Sequence, residues 1–350
     1  NPGAGPGFLF FWPPPPWGGL RIYRRYTAVY RRFRELTAHC RASESSGPRT
    51  PPRCSVPHPA QKTGKLSARK DFQRTFMIKF VATDLDGTLL DARGTLPQAV
   101  FPLAERLSER GILFAPASGR QYANLEKLFF PVRDRLLFIC ENGALVRCRG
   151  ETLFLDPLPP ETAGAAIGAV RREEGLFPIL CCAENAYIED DCEPFFTRAR
   201  EPYTNCFKVD SLDDVLGKEP ICKISVFDPA GARDHAMRVL SDLPAGVKRI
   251  LSGTHWCDIS AADADKGKAV RAICEKFGFT RDEGMAFGDQ MNDEGMLRAC
   301  GHPRAVANAL PAIRALAEKI VPSNVEGGVL SELEILLSEP GGQTGKQSVK

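Results

Sequence analysis

The stretch FVATDLDGTLLDARGT, residues 80–95, carries two aspartates one residue apart directly after an apolar run. These are Asp84 and Asp86, and Gly87 follows them at once. The β-branched and aromatic residues of MIKFVATD, residues 77–84, predict a strand that is covered on both faces. Two carboxylates at the end of a buried strand, beside a glycine that permits a sharp turn, indicate ion binding or chemistry on an anion.

Strand and helix patterns alternate outward from this stretch. LPQAVFPLAERLSERG and GRQYANLEKLFF have helical spacing, and each is followed by a strand, ILFAPAS and LLFICEN. The order βαβαβ predicts a mainly parallel sheet with right-handed crossovers. The alternation returns from KGKAVRAICEKFG onward, but residues 158–256 have a different texture, with strand-like FPILCCAE, ICKISVFD and THWCDIS. We therefore expect an α/β fold, with a parallel-sheet domain at 77–157 and 257–338 and a smaller α+β unit inserted at 158–256.

Residues 1–76 form a separate basic region. They hold 11 of the 28 prolines, and 14 Lys and Arg against 3 Asp and Glu, a balance of +11 that leaves −8 for the remainder. A segment of this composition buries little and is expected to be disordered, and residues 339–350 are expected to be a flexible tail. A passive extension, a basic anchor for RNA or anionic lipid, and an organelle-targeting peptide remain open for residues 1–76. The acidic remainder argues against nucleic-acid binding by the folded part.

Cysteine spacing and hydropathy indicate the cellular setting. The 12 cysteines lie singly apart from the neighbours Cys181 and Cys182, and no CxxC pair occurs. Neither a zinc site nor a disulfide framework is expected, and a cytoplasmic location fits best. The sequence has no run of about 18 apolar residues, so we do not expect a membrane span. The apolar start GFLFFWPPPPWGGL is short and broken by prolines, so we do not expect it to be a signal peptide.

Polar groups with complementary chemistry occur at four places in the chain, each just after a strand or at the start of a helix. Ligands of a parallel sheet gather at the carboxyl ends of its strands, which predicts that these groups share one site. They are Asp84 and Asp86 after the first strand, Ser118 in ASGR after the second, Lys266 at the start of the helix after the insert, and Asp289, Asn292 and Asp293 in GDQMND after a late strand. Clustered carboxylates repel one another unless a cation joins them, and an oxygen-rich site suits Mg²⁺.

This inventory is suited to a phosphate together with a divalent metal. Asp84 is placed to attack phosphorus and form an aspartyl phosphate, and Asp86 to protonate the leaving oxygen and then activate water. Ser118 and Lys266 would bind phosphoryl oxygens. Each motif alone also has a plain structural explanation, such as a helix cap for Ser118. A calcium loop is excluded because its central glycine and closing glutamate are both missing.

The set DLDGT, ASGR, DKGKAV and GDQMND resembles the four motifs of the haloacid dehalogenase superfamily. From Met77 to about Leu337 the chain resembles the Cof-like branch of phosphatases, with ENGA, NALP and VPSNVEGGV as further similarities. The resemblance implies a Rossmann-like core with an α/β cap between the second and third motifs, which matches the insert at 158–256. Residues 1–76 have no counterpart in the family pattern.

The resemblance also implies a role for each motif residue. It makes Asp84 the nucleophile and a metal ligand, Asp86 the acid/base with a metal-ligating backbone carbonyl, Ser118 and Lys266 phosphate ligands, Asn292 a neighbour of the transferring phosphoryl group, Asp289 a metal ligand and Asp293 a support for the metal. Asn142 and Arg120 lie beside the site in less defined roles. Relatives with dehalogenase or phosphonatase chemistry lack the second aspartate, so Asp86 favours hydrolysis of a phosphate ester.

Together these observations predict a Mg²⁺-dependent phosphatase that acts on small phosphomonoesters such as sugar phosphates or phosphorylated cofactors. Two alternatives remain. One is a phosphotransferase or phosphomutase that uses the same aspartyl phosphate but shields it from water. The other is a non-enzymatic protein whose basic residues 1–76 bind nucleic acid or a membrane.

Overall fold

The computed structural model describes residues 77–200 and 202–339. In chain order its strands are β1 (Phe80–Asp84), β2 (Leu113–Ala117), β3 (Phe138–Cys140), β4 (Leu145–Cys148), β5 (Glu151–Leu155), β6 (Phe177–Cys182), β7 (Ala186–Ile188), β8 (Cys206–Lys208), β9 (Ile221–Phe227), β10 (Val247–Gly253), β11 (Trp256–Ala261), β12 (Gly284–Gly288), β13 (His302–Val306) and β14 (Lys319–Val321). The helices are α1 (Val100–Glu109), α2 (Tyr122–Leu128), α3 (Pro160–Arg171), α4 (Phe195–Arg200), α5 (Ala236–Val239), α6 (Lys266–Phe277), α7 (Glu294–Ala299), α8 (Pro311–Arg314) and α9 (Gly328–Ser338).

Two predictions concern residues outside the described ranges: the disorder of residues 1–76 and, apart from residue 339, the flexible tail at residues 339–350. Within the described ranges, no helix has the length and apolar character that crossing a bilayer would require.

The first sheet has eight strands in the order β14-β13-β12-β1-β2-β3-β4-β5. Its central strand β1 is buried along its whole length, as the apolar run predicts, and pairs in parallel with both β2 and β12. The register sets Asp84 opposite Ala117, the last residue of β2, and Thr83 opposite Phe287 of β12. The residues that follow these three strands therefore emerge together at one edge of the sheet.

Helix α6 begins at the residue that the motif pattern marks. The Asp265 side chain caps it by accepting the Lys268 backbone N–H at 2.6 Å, and Gly278 ends it in a left-handed conformation. The buried face of the helix includes Ala269, Val270 and Ile273. Lys266 is thus the first helical residue, and it lies next to the carboxyl edge of the first sheet.

The second sheet has the order β10-β11-β9-β6-β7-β8 and is antiparallel except between β7 and β8. It has its own apolar core, to which α3 contributes Ala163, Ala166, Ile167 and Val170. We call this unit, residues 158–261, the cap, and the remainder of residues 77–339 the core. The predicted fold class, a Rossmann-like core with an inserted α+β unit, is confirmed.

The cap ends later in the chain than the sequence indicated. The core was expected to resume at residue 257, but β11 pairs antiparallel with β9 and β10. Cys257 and Ile259 are buried in the apolar core of the second sheet. This burial keeps the strand in the cap as far as Ala261.

A close backbone approach joins the turn after β3 to the start of α6. Gly143 has φ +98°, and a Cβ at this position would lie 2.3 Å from the carbonyl oxygen of Asp265. Gly94 also has a positive φ, +71°, but no atom lies within 4 Å of the Cβ position there. Comparing an alanine substitution at Gly143 with one at Gly94 therefore separates the free-energy cost of the positive φ from the cost of the steric contact.

We expect Gly143→Ala to lower the free energy of unfolding by about 1–3 kcal/mol more than Gly94→Ala. Both substitutions carry the positive-φ penalty, roughly 1–2 kcal/mol, but only the first drives a methyl group into the backbone of Asp265. Urea denaturation followed by circular dichroism measures both values. Equal losses for the two variants would show that the approach at Gly143 does not constrain the fold.

Candidate active site

Three buried carboxylates meet at the carboxyl edge of the first sheet. Asp84 ends β1, Asp289 directly follows β12, and Asp293 immediately precedes α7. The three residues are 6%, 4% and 0% exposed. One carboxylate oxygen from each lies within 4.8 Å of the other two, so the cluster has the donor atoms and spacing to hold a metal ion.

The ammonium of Lys266 is buried among these carboxylates. Its Nζ donates to Oδ1 of Asp84 and, at 2.7 Å, to Oδ1 of Asp293. Burial alone would lower the pKa of Lys266, but the charges of Asp293 and Asp84 outweigh it and raise the pKa above its ordinary value. Burial, reinforced by repulsion from Asp293, raises the pKa of Asp84 well above its usual range, although Lys266 opposes the shift.

Both oxygens of Asp293 have donors within the protein. Oδ1 accepts from Lys266, and Oδ2 accepts the backbone N–H groups of Asp289 at 2.9 Å and Gln290 at 3.1 Å. The carboxylate therefore fixes the ammonium of Lys266 and the turn that carries Asp289.

The carboxylate of Asp289 accepts hydrogen bonds from neutral side chains. Its Oδ1 accepts the Thr88 hydroxyl at 2.9 Å, and its Oδ2 accepts the side-chain amide of Gln290 at 3.2 Å. Burial raises the pKa of Asp289. Gly87, with φ +90°, packs against this carboxylate so closely that a Cβ would lie 2.6 Å from Oδ2. The glycine of the DLDGT motif thus lets the β1 turn reach Asp289.

Asp86 lies apart from the buried cluster. Its side chain is 59% exposed and forms a two-pronged ion pair with Arg120, with Nη2–Oδ1 at 2.8 Å and Nε–Oδ2 at 3.3 Å. Its carboxylate is not one of the three that gather for a metal. Any contribution of Asp86 to that cluster would have to come from its backbone carbonyl, as the resemblance implies.

Ser118 follows β2 and is buried beside the turn after β3. The Arg120 backbone N–H donates to its Oγ at 3.3 Å, and the Asn142 backbone N–H donates to its carbonyl at 3.0 Å. The Asn142 side chain donates to Oδ2 of Asp258 in the cap at 3.2 Å. Asn142 thus lies where the core meets the cap.

A cavity of about 1070 Å³ opens between core and cap. Its walls include Asp84, Asp86, Ser118 and Asn292 of the core and Lys223 and Asp258 of the cap. A cavity of this size accommodates a small organic ligand. The structure brings the predicted residues to one place, with Lys266, Asp289 and Asp293 linked to Asp84 by the contacts given above.

Three charged residues at the core–cap junction were not predicted. Lys223 of β9 and Asp258 of β11 are each 2% exposed, as is Glu141 of the turn after β3. Nζ of Lys223 lies 3.0 Å from Oδ2 of Asp258 and 3.1 Å from Oε2 of Glu141. Burial raises the pKa of Glu141, and Lys223 opposes this shift. The available signal was a single charge within the otherwise apolar strand patterns ICKISVF and WCDIS.

A family model described as haloacid dehalogenase-like hydrolase matches residues 81–333. The chain belongs to this family. A relative from Escherichia coli named 5-amino-6-(5-phospho-D-ribitylamino)uracil phosphatase is 26% identical over 74% of this chain and 96% of its own length. A relative from Cronobacter sakazakii named HMP-PP phosphatase is 24% identical over 68% of this chain and 88% of its own.

A solved structure resembles this haloacid dehalogenase-like hydrolase in fold and in sequence. A protein from Streptococcus mutans matches it with a TM-score of 0.66 and 26% identity, over 74% of this chain and 99% of that one. These findings confirm the predicted superfamily, its Cof-like branch and the class of hydrolase, since the relatives bear phosphatase names. Magnesium, the roles of individual residues and the cytoplasmic location stay predictions.

The raised pKa of Asp84 predicts an unusual stability effect in metal-free protein. The folded state holds this pKa above its unfolded value, so ionisation of Asp84 reduces stability as pH rises through that interval. We expect Asp84→Asn to raise the free energy of unfolding at pH 8 in EDTA. At pH 5 the gain should be smaller, because more of the wild-type carboxyl is protonated.

Asp91→Asn is the matched control for this measurement. Backbone N–H groups of Thr95 and Arg93 lower the pKa of Asp91, so its ionised form is favoured in the folded state. This variant should therefore lose the same stability relative to wild type at pH 8 and at pH 5, because both values lie above the pKa of Asp91 in the folded and the unfolded states. If Asp84→Asn behaved in the same way, the charge balance described for the cluster would be wrong. Urea denaturation at both pH values measures the two effects.

Proposed function

We propose that this haloacid dehalogenase-like hydrolase is a Mg²⁺-dependent phosphatase of small phosphomonoesters, such as sugar phosphates or phosphorylated cofactors. The observation that carries the proposal is the buried cluster of Asp84, Lys266 and Asp293, whose Asp84 faces a cavity large enough for such a substrate. The phosphatase names of the relatives support it. Both of those names refer to phosphatases of small phosphorylated metabolites.

The donor groups fit a hard divalent cation. Three buried carboxylates face the ammonium of Lys266, and this excess of negative charge in a buried site favours a bound cation. Asp84 and Asp289, with the backbone carbonyl of Asp86, would hold Mg²⁺, since each supplies oxygen. Asp293, whose two oxygens already have donors, would support the site by orienting Lys266. Bound Mg²⁺ would neutralise charge on the phosphoryl oxygens and keep Asp84 ionised.

The protein's own groups then account for the chemistry. Asp84 attacks phosphorus, the bond to the ester oxygen breaks, and the departing oxygen takes a proton from Asp86. Asp86 next removes a proton from water, which attacks the aspartyl phosphate and releases inorganic phosphate and free Asp84. Lys266, Ser118 and Asn292 hold the phosphoryl oxygens during both steps. Asp86 enters the first step protonated, so its two-pronged ion pair with Arg120 opens before the proton is transferred.

A substrate panel tests the proposal directly. Purified protein is assayed for phosphate release from about a hundred phosphorylated metabolites, with and without Mg²⁺. We expect EDTA to abolish turnover and Asp84→Asn to keep the fold while losing more than about 10³-fold in kcat, because the nucleophile is gone. Undiminished turnover by Asp84→Asn would refute the assignment. Transfer of label to an added sugar instead of water would indicate a phosphotransferase.

Metal binding is tested separately from turnover. We expect Mg²⁺ to raise the Tm of the wild-type protein, by an amount that corresponds to about 2.7 kcal/mol at a hundredfold excess over Kd. Asp289→Asn should lose most of this shift because it removes a proposed ligand. Asp86→Asn should keep the shift, since its backbone carbonyl remains, and yet lose turnover. The reverse pattern would contradict the proposed division between metal ligand and acid/base.

A further inference from the structure

A lysine of the cap reaches into the core beside the proposed phosphate site. Lys223 belongs to β9, whose seven residues are all buried. Its Nζ donates to the carbonyl oxygen of Gly119 at 2.8 Å, and it is paired with Asp258 of the cap and Glu141 of the core. A buried ammonium is costly unless its donors are satisfied, so its contact with one particular core carbonyl needs a physical explanation.

Three consecutive carbonyls of the Ser118 loop have partners. The Asn142 backbone N–H donates to the carbonyl of Ser118 at 3.0 Å, and the Glu141 backbone N–H donates to that of Arg120 at 3.2 Å. The carbonyl between them, that of Gly119, accepts from Lys223. The core therefore fixes the two outer peptides of the loop, and the cap fixes the middle one.

The middle peptide, between Gly119 and Arg120, contains the N–H group that donates to the Ser118 hydroxyl. In a trans peptide the carbonyl and the following N–H point in opposite directions, so the carbonyl of Gly119 sets the direction of the Arg120 N–H. That N–H donates to Ser118 Oγ at 3.3 Å. A charged donor on the carbonyl polarises the peptide and strengthens the N–H as a donor. With one lone pair of Oγ so occupied, the hydroxyl proton is free to be donated to an anion.

The turn that meets Lys223 from the core side is held in an uncommon conformation. Glu141 and Asn142 have φ +51° and +55°, and Gly143 continues with φ +98°. Positive φ costs free energy at residues other than glycine and persists where the surroundings enforce it. Here Asn142 donates to Asp258, and Glu141 faces Lys223. The arrangement is thus built from both domains and does not arise from a single loop.

We propose that Lys223 is a positioning residue for the proposed phosphate site. Through the Gly119–Arg120 peptide it aims the Ser118 hydroxyl at the phosphoryl group, so that the site is complete only when the cap is docked on the core. This rests on the proposed function. It goes beyond it by giving a cap residue a part in phosphate binding without contact between that residue and the phosphate.

The test measures binding of inorganic phosphate in the presence of Mg²⁺ by calorimetry, with kcat and KM as a second reading. Lys223→Met alone leaves Asp258 and Glu141 buried without their cation and risks misfolding. The working variant is therefore Lys223→Met with Asp258→Asn, in which burial favours the neutral form of Glu141. Asp258→Asn alone is the matched control, because it keeps Lys223 on Gly119.

We expect the double variant to unfold cooperatively and to bind inorganic phosphate about tenfold more weakly than wild type, which corresponds to about 1.4 kcal/mol. Asp258→Asn alone should stay within about threefold of wild type. The decisive comparison uses Ser118→Ala, which should weaken phosphate binding by a similar factor. Adding the double substitution to Ser118→Ala should then cause no further loss, because Lys223 acts through Ser118.

Two outcomes would overturn this inference alone. One is wild-type phosphate affinity in the double variant. The other is a further tenfold loss when the double substitution is added to Ser118→Ala, which would show a general structural role for Lys223. A wild-type protein that binds no inorganic phosphate with Mg²⁺ would overturn the proposed function and this inference together.

Discussion

The arrangement of the site follows from one electrostatic constraint. Three carboxylates are buried at the carboxyl edge of the first sheet, and the ammonium of Lys266 contacts two of them. Such a group of charges is tolerable only if every member is held in place by charged or hydrogen-bonding partners. Asp293 is held by two backbone N–H groups, and Lys266 is held by its place as the first residue of α6. The capping of that helix by Asp265 is therefore part of the chemistry of the site.

A second group of buried charges lies where the cap meets the core. Lys223 and Asp258 come from cap strands, whereas Glu141 and Asn142 come from a core turn. Both groups border the cavity between core and cap. Asp84 of the first group lies on the cavity wall, and the second group joins the two domains at that same cavity. Residues from both sheets therefore surround any molecule that enters.

The sequence predicted those parts of the fold that local patterns specify. The apolar run before Asp84 is the buried strand β1, and KGKAVRAICEKFG is the helix α6. The motif residues lie near one another because parallel strands end at one edge. The cap boundary was wrong by one strand because β11 is held in the cap by pairing across the sheet, which no local pattern records.

The less predictable parts of the site depend on contacts distant in the chain. Asp86 was grouped with the other carboxylates because it follows Asp84 closely, yet its side chain turns to Arg120. Lys223 lay in a strand pattern that specified burial, but neither its partner carbonyl nor Asp258 was apparent from its neighbours in the chain. The positive φ of Asn142, in contrast, accords with the known tolerance of asparagine for that conformation.

The position of β1 in the middle of the first sheet has a consequence for how the chain folds. One edge of β1 pairs with β2, which follows soon after it, but the other pairs with β12, and the entire cap lies between them in the sequence. During synthesis, a nascent chain ending within the cap carries β1 with one edge unpaired. An open edge of this kind is a template for association with other chains. The first sheet of this enzyme can therefore be completed only after the whole cap has been synthesised, and one edge of β1 stays unpaired until then.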